Sequence, residues 1–216
     1  MRCGACCMKG GPTLHAEDRH LIAAGRVRRE DLITIRKGEL THIPDREGLH
    51  PAGTEIVKIS GKGRTWECLF FDRAGSSCRI YEHRPLECRI LKCWDTAELL
   101  SVIGKDPLRR ADVIDPEDPV LELIEGHEEE CSVRQMEDLL SLLSGSNEDP
   151  AAFEELEELI QRDLTFRAAA VSAFSLPLSA ELFMFGRPLF KLLGGRGVSV
   201  REEDGGLRLF RSDSSS

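Results

Sequence analysis

The stretch CRIYEHRPLECRILKCW, residues 78–94, places three cysteines in one segment. Cys78 follows the turn-like run RAGSS and begins a short strand-like run. Pro85 breaks the strand ladder because proline has no N–H to donate, so the chain leaves the sheet as a turn or short helix that carries Cys88. Cys93 follows a few residues later. The stretch therefore marks the end of a small sheet and supplies three candidate metal ligands.

The segments upstream of this stretch alternate strand-like runs with turns. In RTWECLFFD, strand periodicity puts Trp66, Cys68 and Phe70 on one face. We predict a small antiparallel meander, with Cys68 in one strand and Cys78 just past the turn on the next. A short helix that ends at Gly25 precedes the meander. The strand-like runs lie at 32–40, 55–60, 64–72 and 78–81.

The chain downstream of residue 95 has mainly helical patterns. Helices are predicted at 96–104, at 116–130 and 132–145 (as two helices or as one that bends near Gly126), at 151–174 and at 179–195, followed by a hairpin at 198–210. The fold class is α+β: a small cysteine-rich antiparallel β module with helices, then a mainly helical part and a terminal hairpin. The predicted divisions are 1–95 for a cysteine-cluster metal-binding domain, 96–195 for the helical region, and 196–216 for the hairpin and a polar tail.

Composition limits the partners of this chain of 216 residues. Its formal net charge of −9 argues against duplex nucleic acid. Acidic residues concentrate on the predicted helices, where they form solvated faces or a surface for a protein partner. The longest uncharged stretch is too short to cross a bilayer, so no membrane association is expected. The cysteines begin at position 3 with no apolar stretch before them, which predicts a cytoplasmic protein with reduced thiols.

The sequence begins MRCGACCMKGG, with three cysteines where chain ends are usually frayed. A disulfide, a metal or ordinary packing could hold this end. Cys3 and Cys6 form a C-x-x-C, whose tight turn lets two thiolates converge on one ion, and Cys7 adds a third sulfur. With the thiols reduced, clustered cysteines favour metal chemistry. The candidate ligands are Cys3, Cys6, Cys7, Cys68, Cys78, Cys88, Cys93 and Cys131.

Thiolates of this number suit either tetrahedral zinc or an iron–sulfur cluster. Zinc modules usually carry two C-x-x-C pairs, and this chain has one. The tandem ferredoxin spacing is also absent. Both cofactors therefore remain open, with the iron–sulfur cluster preferred.

These residues resemble the YkgJ-type cysteine-cluster family, CxxCxxCC, a zinc- or iron-chelating domain family. CGACC, ECLFFD and above all CRIYEHRPLECR carry the resemblance, which covers residues 1 to about 95. Aligning Cys6 and Cys7 on the family's adjacent pair puts the family's first cysteine just before Met1. Cys93 and Cys131 are candidates to replace it. The resemblance implies metal or iron–sulfur binding.

Other side chains are secondary candidates. His127 and Cys131 lie four residues apart on a predicted helix and could be auxiliary ligands. Arg84 and Arg89 flank Cys88 and could offset the charge of a thiolate-rich centre, or pair with nearby acidic residues.

Two further residues lie near the cysteines in the sequence. His15 is the histidine that could act as a ligand, and Trp94 is expected to pack over the centre.

Three functions follow from this pattern. The first is an iron–sulfur protein with a redox or sensing role. The second is a structural zinc module that supports protein–protein contact through the acidic helices, and the third is a metal-containing modifying enzyme. For each of these three functions, the variants Cys6→Ser and Cys88→Ser should lose metal and have a less stable fold.

Overall fold

The computed structural model describes residues 4–43, 46–63, 65–144, 150–174, 176–203 and 206–211. Short antiparallel strand pairs build the N-terminal half, and helices followed by a hairpin build the C-terminal half. The α+β class predicted from the sequence is therefore confirmed. No helix in these ranges has the length and apolar character needed to span a bilayer.

The strands of the N-terminal half are short. β1 is rich in β-branched residues and is buried along its whole length, which suits a strand covered on both faces. The strands are β1 (Leu32–Ile35), β2 (Leu40–His42), β3 (Leu49–Pro51), β4 (Ile56–Ile59), β5 (Gly61–Lys62), β6 (Glu67–Cys68), β7 (Phe71–Asp72), β8 (Ser77–Cys78), β9 (Val198–Glu203) and β10 (Gly206–Arg211). They pair antiparallel as β1–β4, β2–β3, β5–β6, β7–β8 and β9–β10.

The strand predicted over 64–72 is not continuous. Trp66 has a φ of 58°, in the left-handed region, and a turn separates β6 from β7. As a result Cys68 pairs with Gly61, and Cys78 lies opposite Phe71. The predicted meander is therefore two separate hairpins that carry one cysteine each.

The helices occupy most of the second half. They are α1 (Arg19–Ala23), α2 (Leu86–Ile90), α3 (Ala97–Val102), α4 (Val120–Glu130), α5 (Val133–Leu143), α6 (Pro150–Phe174) and α7 (Glu181–Phe185). Of the two predicted alternatives, two helices or one bent helix, the structure has two helices, α4 and α5. The break between them lies at Cys131 and Ser132. Ser132 caps α5, because its hydroxyl accepts a hydrogen bond from Gln135 N at 3.4 Å.

The helix predicted over 179–195 is wrong as a single element. α7 ends at Phe185, and a 3-10 turn follows at Leu189–Leu192. Gly186 between them has a φ of 67°, and a Cβ there would lie 2.9 Å from the Thr34 carbonyl oxygen. The glycine therefore lets the chain turn against β1 where a helix could not continue.

The segment after the N-terminal cysteines runs beside β4. Ile59 N donates to Pro12 O at 3.0 Å, and Leu14 N donates to Val57 O at 2.9 Å. Leu108 N donates to Leu14 O at 2.8 Å, so the segment also meets the chain that follows α3. Backbone hydrogen bonds thus hold the early residues within the fold.

Two apolar clusters form the interior. The first combines residues of the strand-rich half, such as Leu14 and Phe71, with Ile124 of α4 and Phe183 of α7. The second lies among α5, α6 and the C-terminal hairpin. The division at 95 and 195 stays a prediction, and the first cluster takes residues from both sides of position 95.

Buried ion pairs also join the two halves. Arg36, fully buried after β1, donates through Nε to both Glu128 carboxylate oxygens at 2.9 and 3.0 Å. Arg110 donates to Glu128 at 2.7 Å and to Glu55 at 2.5 Å. Removing one partner would leave a buried charge uncompensated, so these pairs make the packing of α4 on the strands specific.

Candidate metal centre

Six cysteines line one cavity of about 200 Å³ in the N-terminal half. They come from the chain start, two hairpins, α2 and the loop after α2. We call them the cysteine centre: Cys6, Cys7, Cys68, Cys78, Cys88 and Cys93. Cys3 lies outside the described residues. Cys131 is buried and does not line this cavity.

A tight turn presents the first two cysteines of the centre. Met8 N donates to Gly4 O at 3.0 Å, and Lys9 N donates to Cys6 O at 3.1 Å. The Sγ atoms of Cys6 and Cys7 lie 3.9 Å apart. Gly4 has a φ of 71°, and a Cβ at this position would overlap the Phe71 ring. Glycine therefore allows the turn to sit against β7.

The two hairpins of the strand-rich half supply the next cysteines. Cys68 ends β6 and is buried, and the backbone N–H groups of Phe70 and Phe71 donate to its sulfur. Cys78 ends β8 and is partly buried. The left-handed backbone at Trp66 and the turn at 69–70 set the two hairpins so that both sulfurs line the same cavity.

Cys88 lies in α2, which is attached to the start of the chain. Thr13 N donates to a Glu87 carboxylate oxygen at 2.8 Å, and the other oxygen lies 3.3 Å from His15 Nε2. His15 Nδ1 is 2.8 Å from Lys105 O. Both ring nitrogens of His15 are thus engaged, so it positions α2 instead of acting as a metal ligand.

Cys93 occupies the loop after α2 and is exposed. It therefore stands at the mouth of the cavity. Trp94 is 77 % exposed, so the expectation that it packs over the centre is wrong. Cys93 and Trp94 occupy the turn between the bridged residues Lys92 and Asp95.

The thiols of the centre act on one another electrostatically. The pKa of Cys7 is raised to about 12, chiefly by burial and in addition by the neighbouring Cys6, Cys68 and Cys78. Burial also raises the pKa of Cys88, and the same neighbours together with Cys7 add to that effect. Without a cation the buried thiols therefore stay protonated, and a bound metal would favour the thiolates.

Two cationic side chains adjoin these sulfurs. Lys62 donates to the Phe71 carbonyl and lowers the pKa of Cys68 against the larger effect of burial. Arg84 lines the cavity, with its guanidinium 3.8 Å from the centre of the Tyr81 ring. Arg84 is therefore placed to offset thiolate charge. Arg89 is instead ion-paired with Glu17, an acidic residue far away in the sequence and not one of the nearby acidic residues predicted as its partners.

Sequence reasoning missed Lys62 and the anchoring role of Glu87. Lys62 follows Gly61 in a short turn-like run, and no spacing pattern ties it to a distant cysteine. Glu87 directly precedes Cys88, a position that could have indicated a positioning role.

The residues present fit a thiolate-ligated metal group. Thiolates bind zinc and iron–sulfur clusters, and six sulfurs exceed the four that either one requires. The rest of the lining is mostly apolar, including Ile59, Phe70 and Leu91, which keeps the local dielectric low. Cys7, Cys68, Cys78 and Cys88 form the inner part of the centre, while Cys6 and Cys93 are exposed at its rim.

The comparisons with known proteins agree with this chemistry. Residues 1–107 match a family model named CxxCxxCC and described as a "Putative zinc- or iron-chelating domain". Neither the curated proteins nor the solved structures contain a significant match to the chain.

Proposed function

Because residues 1–107 belong to the CxxCxxCC family of zinc- or iron-chelating domains, we propose that the cysteine centre holds an iron–sulfur cluster. The protein would use the cluster in a redox or sensing role in the cytoplasm. Cys7, Cys68, Cys78 and Cys88 would be the ligands, with Cys6 and Cys93 at the rim, so loss of metal is expected for Cys88→Ser and no longer for Cys6→Ser.

The observation that carries this proposal is the cavity of about 200 Å³ among six cysteines. A four-thiolate zinc site closes on its ion, with each sulfur about 2.3 Å from the metal. A cavity with an apolar lining leaves room for a larger group that contains inorganic sulfide. The cavity therefore has room for a cluster, which supports this proposal.

The charges around the sulfurs support a redox role. Lys62 and Arg84 lie beside the centre, and hydrogen bonds and nearby charges tune the potential of such clusters. The exposed Cys93 leaves one side of the cavity open to solvent. Electrons or small oxidants would reach the cluster from that side.

A structural zinc site is the second candidate. The centre joins the start of the chain to two hairpins and α2, as a structural staple would. On this reading the metal stabilises the module, and the acidic helices present the surface for a protein partner. The two candidates differ in metal and in colour.

Elemental analysis of anaerobically purified protein tests the proposal. We expect iron with a matching amount of acid-labile sulfide, and visible absorbance that bleaches on reduction. Zinc without iron or sulfide would contradict the cluster and support the structural site. A Cys68→Ser variant is a second test, because removal of a buried inner thiol should abolish the visible absorbance.

A further inference from the structure

A second group of metal-ligand side chains lies in the interior of the helical part, away from the cysteine centre. His127 belongs to α4, Cys131 directly follows that helix, and Asp163 belongs to α6. All three have no exposed surface. One donor atom from each lies within 4.8 Å of the other two.

The hydrogen bonds of His127 fix the state of its ring. Nε2 lies 2.7 Å from an Asp163 carboxylate oxygen, and since a carboxylate only accepts, Nε2 carries the hydrogen. Nδ1 is buried and has no hydrogen-bond partner among the residues that the structure describes. In the neutral ring Nδ1 therefore holds a free lone pair, and leaving it unsatisfied costs free energy.

Asp163 is committed to other partners and cannot easily become a ligand. The oxygen that accepts from His127 also accepts from Arg167 Nε at 2.8 Å, and the second oxygen accepts from Leu189 N at 2.9 Å. A carboxylate that holds the far nitrogen of a metal-bound histidine is a common arrangement. Asp163 therefore suits the role of orienting the ring.

The surroundings restrict the charge of any bound ion. The ring of His127 packs 5.2 Å from that of Phe166 and 4.8 Å from that of Phe185, centre to centre. The nearby ionised groups are already in ion pairs: Asp163 with Arg167, which also pairs with the partly exposed Glu181, and Arg36 with Glu128. An added group must therefore be close to neutral overall.

We propose that His127 Nδ1 and Cys131 Sγ bind one copper(I) ion, with Asp163 holding the imidazole in place. Copper accepts both thiolate and imidazole donors. Binding replaces the proton of the Cys131 thiol with Cu⁺ and releases that proton to water, so the site stays neutral. Zinc would carry an extra positive charge and would need four ligands.

The ion has a route to these buried atoms. Cys131 occupies the junction where α4 ends and α5 begins, and Ser132 starts a new helix there. Local opening of such a junction requires less free energy than global unfolding of the chain.

Nitrogen NMR of the histidine rings tests the proposal on the full chain with its cysteine centre loaded. We expect anaerobic addition of copper(I) to shift the His127 Nδ1 resonance, and zinc(II) to leave it unmoved. In Cys131→Ala the shift should be lost, and bound copper should fall by one equivalent per chain. The matched control, Cys93→Ser, should keep the shift because that thiol belongs to the other site.

His127→Gln provides an independent variant, because the glutamine amide can still donate to Asp163 while Nδ1 is removed. It should bind one copper equivalent fewer than the wild type. The proposal is overturned if copper(I) leaves the His127 resonance unchanged, if zinc(II) alone moves it, or if Cys131→Ala binds as much copper as the wild type. None of these results depends on whether the cysteine centre holds iron or zinc.

Discussion

Individual residues divide the cysteine centre into an inner part and a rim. Cys88 is affected electrostatically by four other thiols, whereas Cys93 is exposed at the mouth of the cavity. The two cysteines lie close in sequence, so the sequence alone could not rank them. Cys88 lies within α2 and is partly buried, whereas Cys93 lies in the exposed turn between Lys92 and Asp95.

The pair of variants Cys88→Ser and Cys93→Ser tests this division. Cys88→Ser should lose most of the bound metal and lower the melting temperature, because metal-binding free energy is also folding free energy. Cys93→Ser should keep the metal. Metal analysis and thermal unfolding measure both effects, and equal losses in the two variants would contradict the assignment of an inner and a rim position.

Gly4→Ala should disturb the turn that presents Cys6 and Cys7. The methyl group would meet the Phe71 ring, and the left-handed backbone adds a cost of about 1 kcal/mol. Gly25→Ala is the matched control, because its φ is 65° but no atom lies near the added Cβ. We expect metal loss in Gly4→Ala alone, measured as metal content per chain. Equal metal content in both variants would argue against the close contact with β7.

At the scale of elements, the predictions from the sequence succeeded where one pattern spans a whole element. β4, α3 and the C-terminal hairpin follow from alternation or helical periodicity and are present, whereas β1 covers only the first four residues of the run predicted over 32–40. The predictions failed where a single backbone conformation divides an apolar run, as at Trp66 and Gly186. Such conformations depend on tertiary contacts, which no local pattern encodes.

Prediction of the candidate site from the sequence met the same limit, because contacts between distant segments are not encoded locally. The cysteines were recognisable from their density, and six of them meet at one cavity. The anchoring of α2 to Thr13 and His15 was not recognisable, because it joins segments that are far apart in the sequence.

Glu87→Ala tests the attachment of α2 to the chain start. It removes the acceptor for Thr13 N and the partner of His15, so unfolding should become easier by about 1–3 kcal/mol. Metal affinity should fall as well, since Cys88 would lose its fixed position. Urea unfolding and metal competition measure the two effects. Glu82→Ala, at an exposed position on the preceding turn, should change neither.

At the scale of the whole molecule, the protonation of the centre links its stability to pH. In the folded metal-free protein the pKa of the Cys7 thiol is about 12, whereas its ordinary value is 9.0. Between those values the folded state binds more protons than the unfolded state. The free energy of unfolding therefore falls as pH rises through this window.

We expect the urea midpoint of the metal-free protein to fall as pH rises above 9.0, and Cys7→Ser to reduce that dependence. The metal-loaded protein should behave in the opposite way, because protons compete with the metal for the thiolates as pH falls. Urea titrations of both forms across the pH range measure this. A metal-free midpoint that rises with pH would contradict the burial of the Cys7 thiol.

The position of Cys7 and Cys88 on opposite ends of the strand-rich half has a consequence for the unfolded chain. A metal bound to both closes a loop of roughly eighty residues. By analogy with a covalent cross-link, closing a loop of that length removes chain entropy worth about 4.5 kcal/mol from the denatured ensemble. The short hairpins between these cysteines thus need less intrinsic stability, and in the metal-free chain they should open first as one cooperative unit.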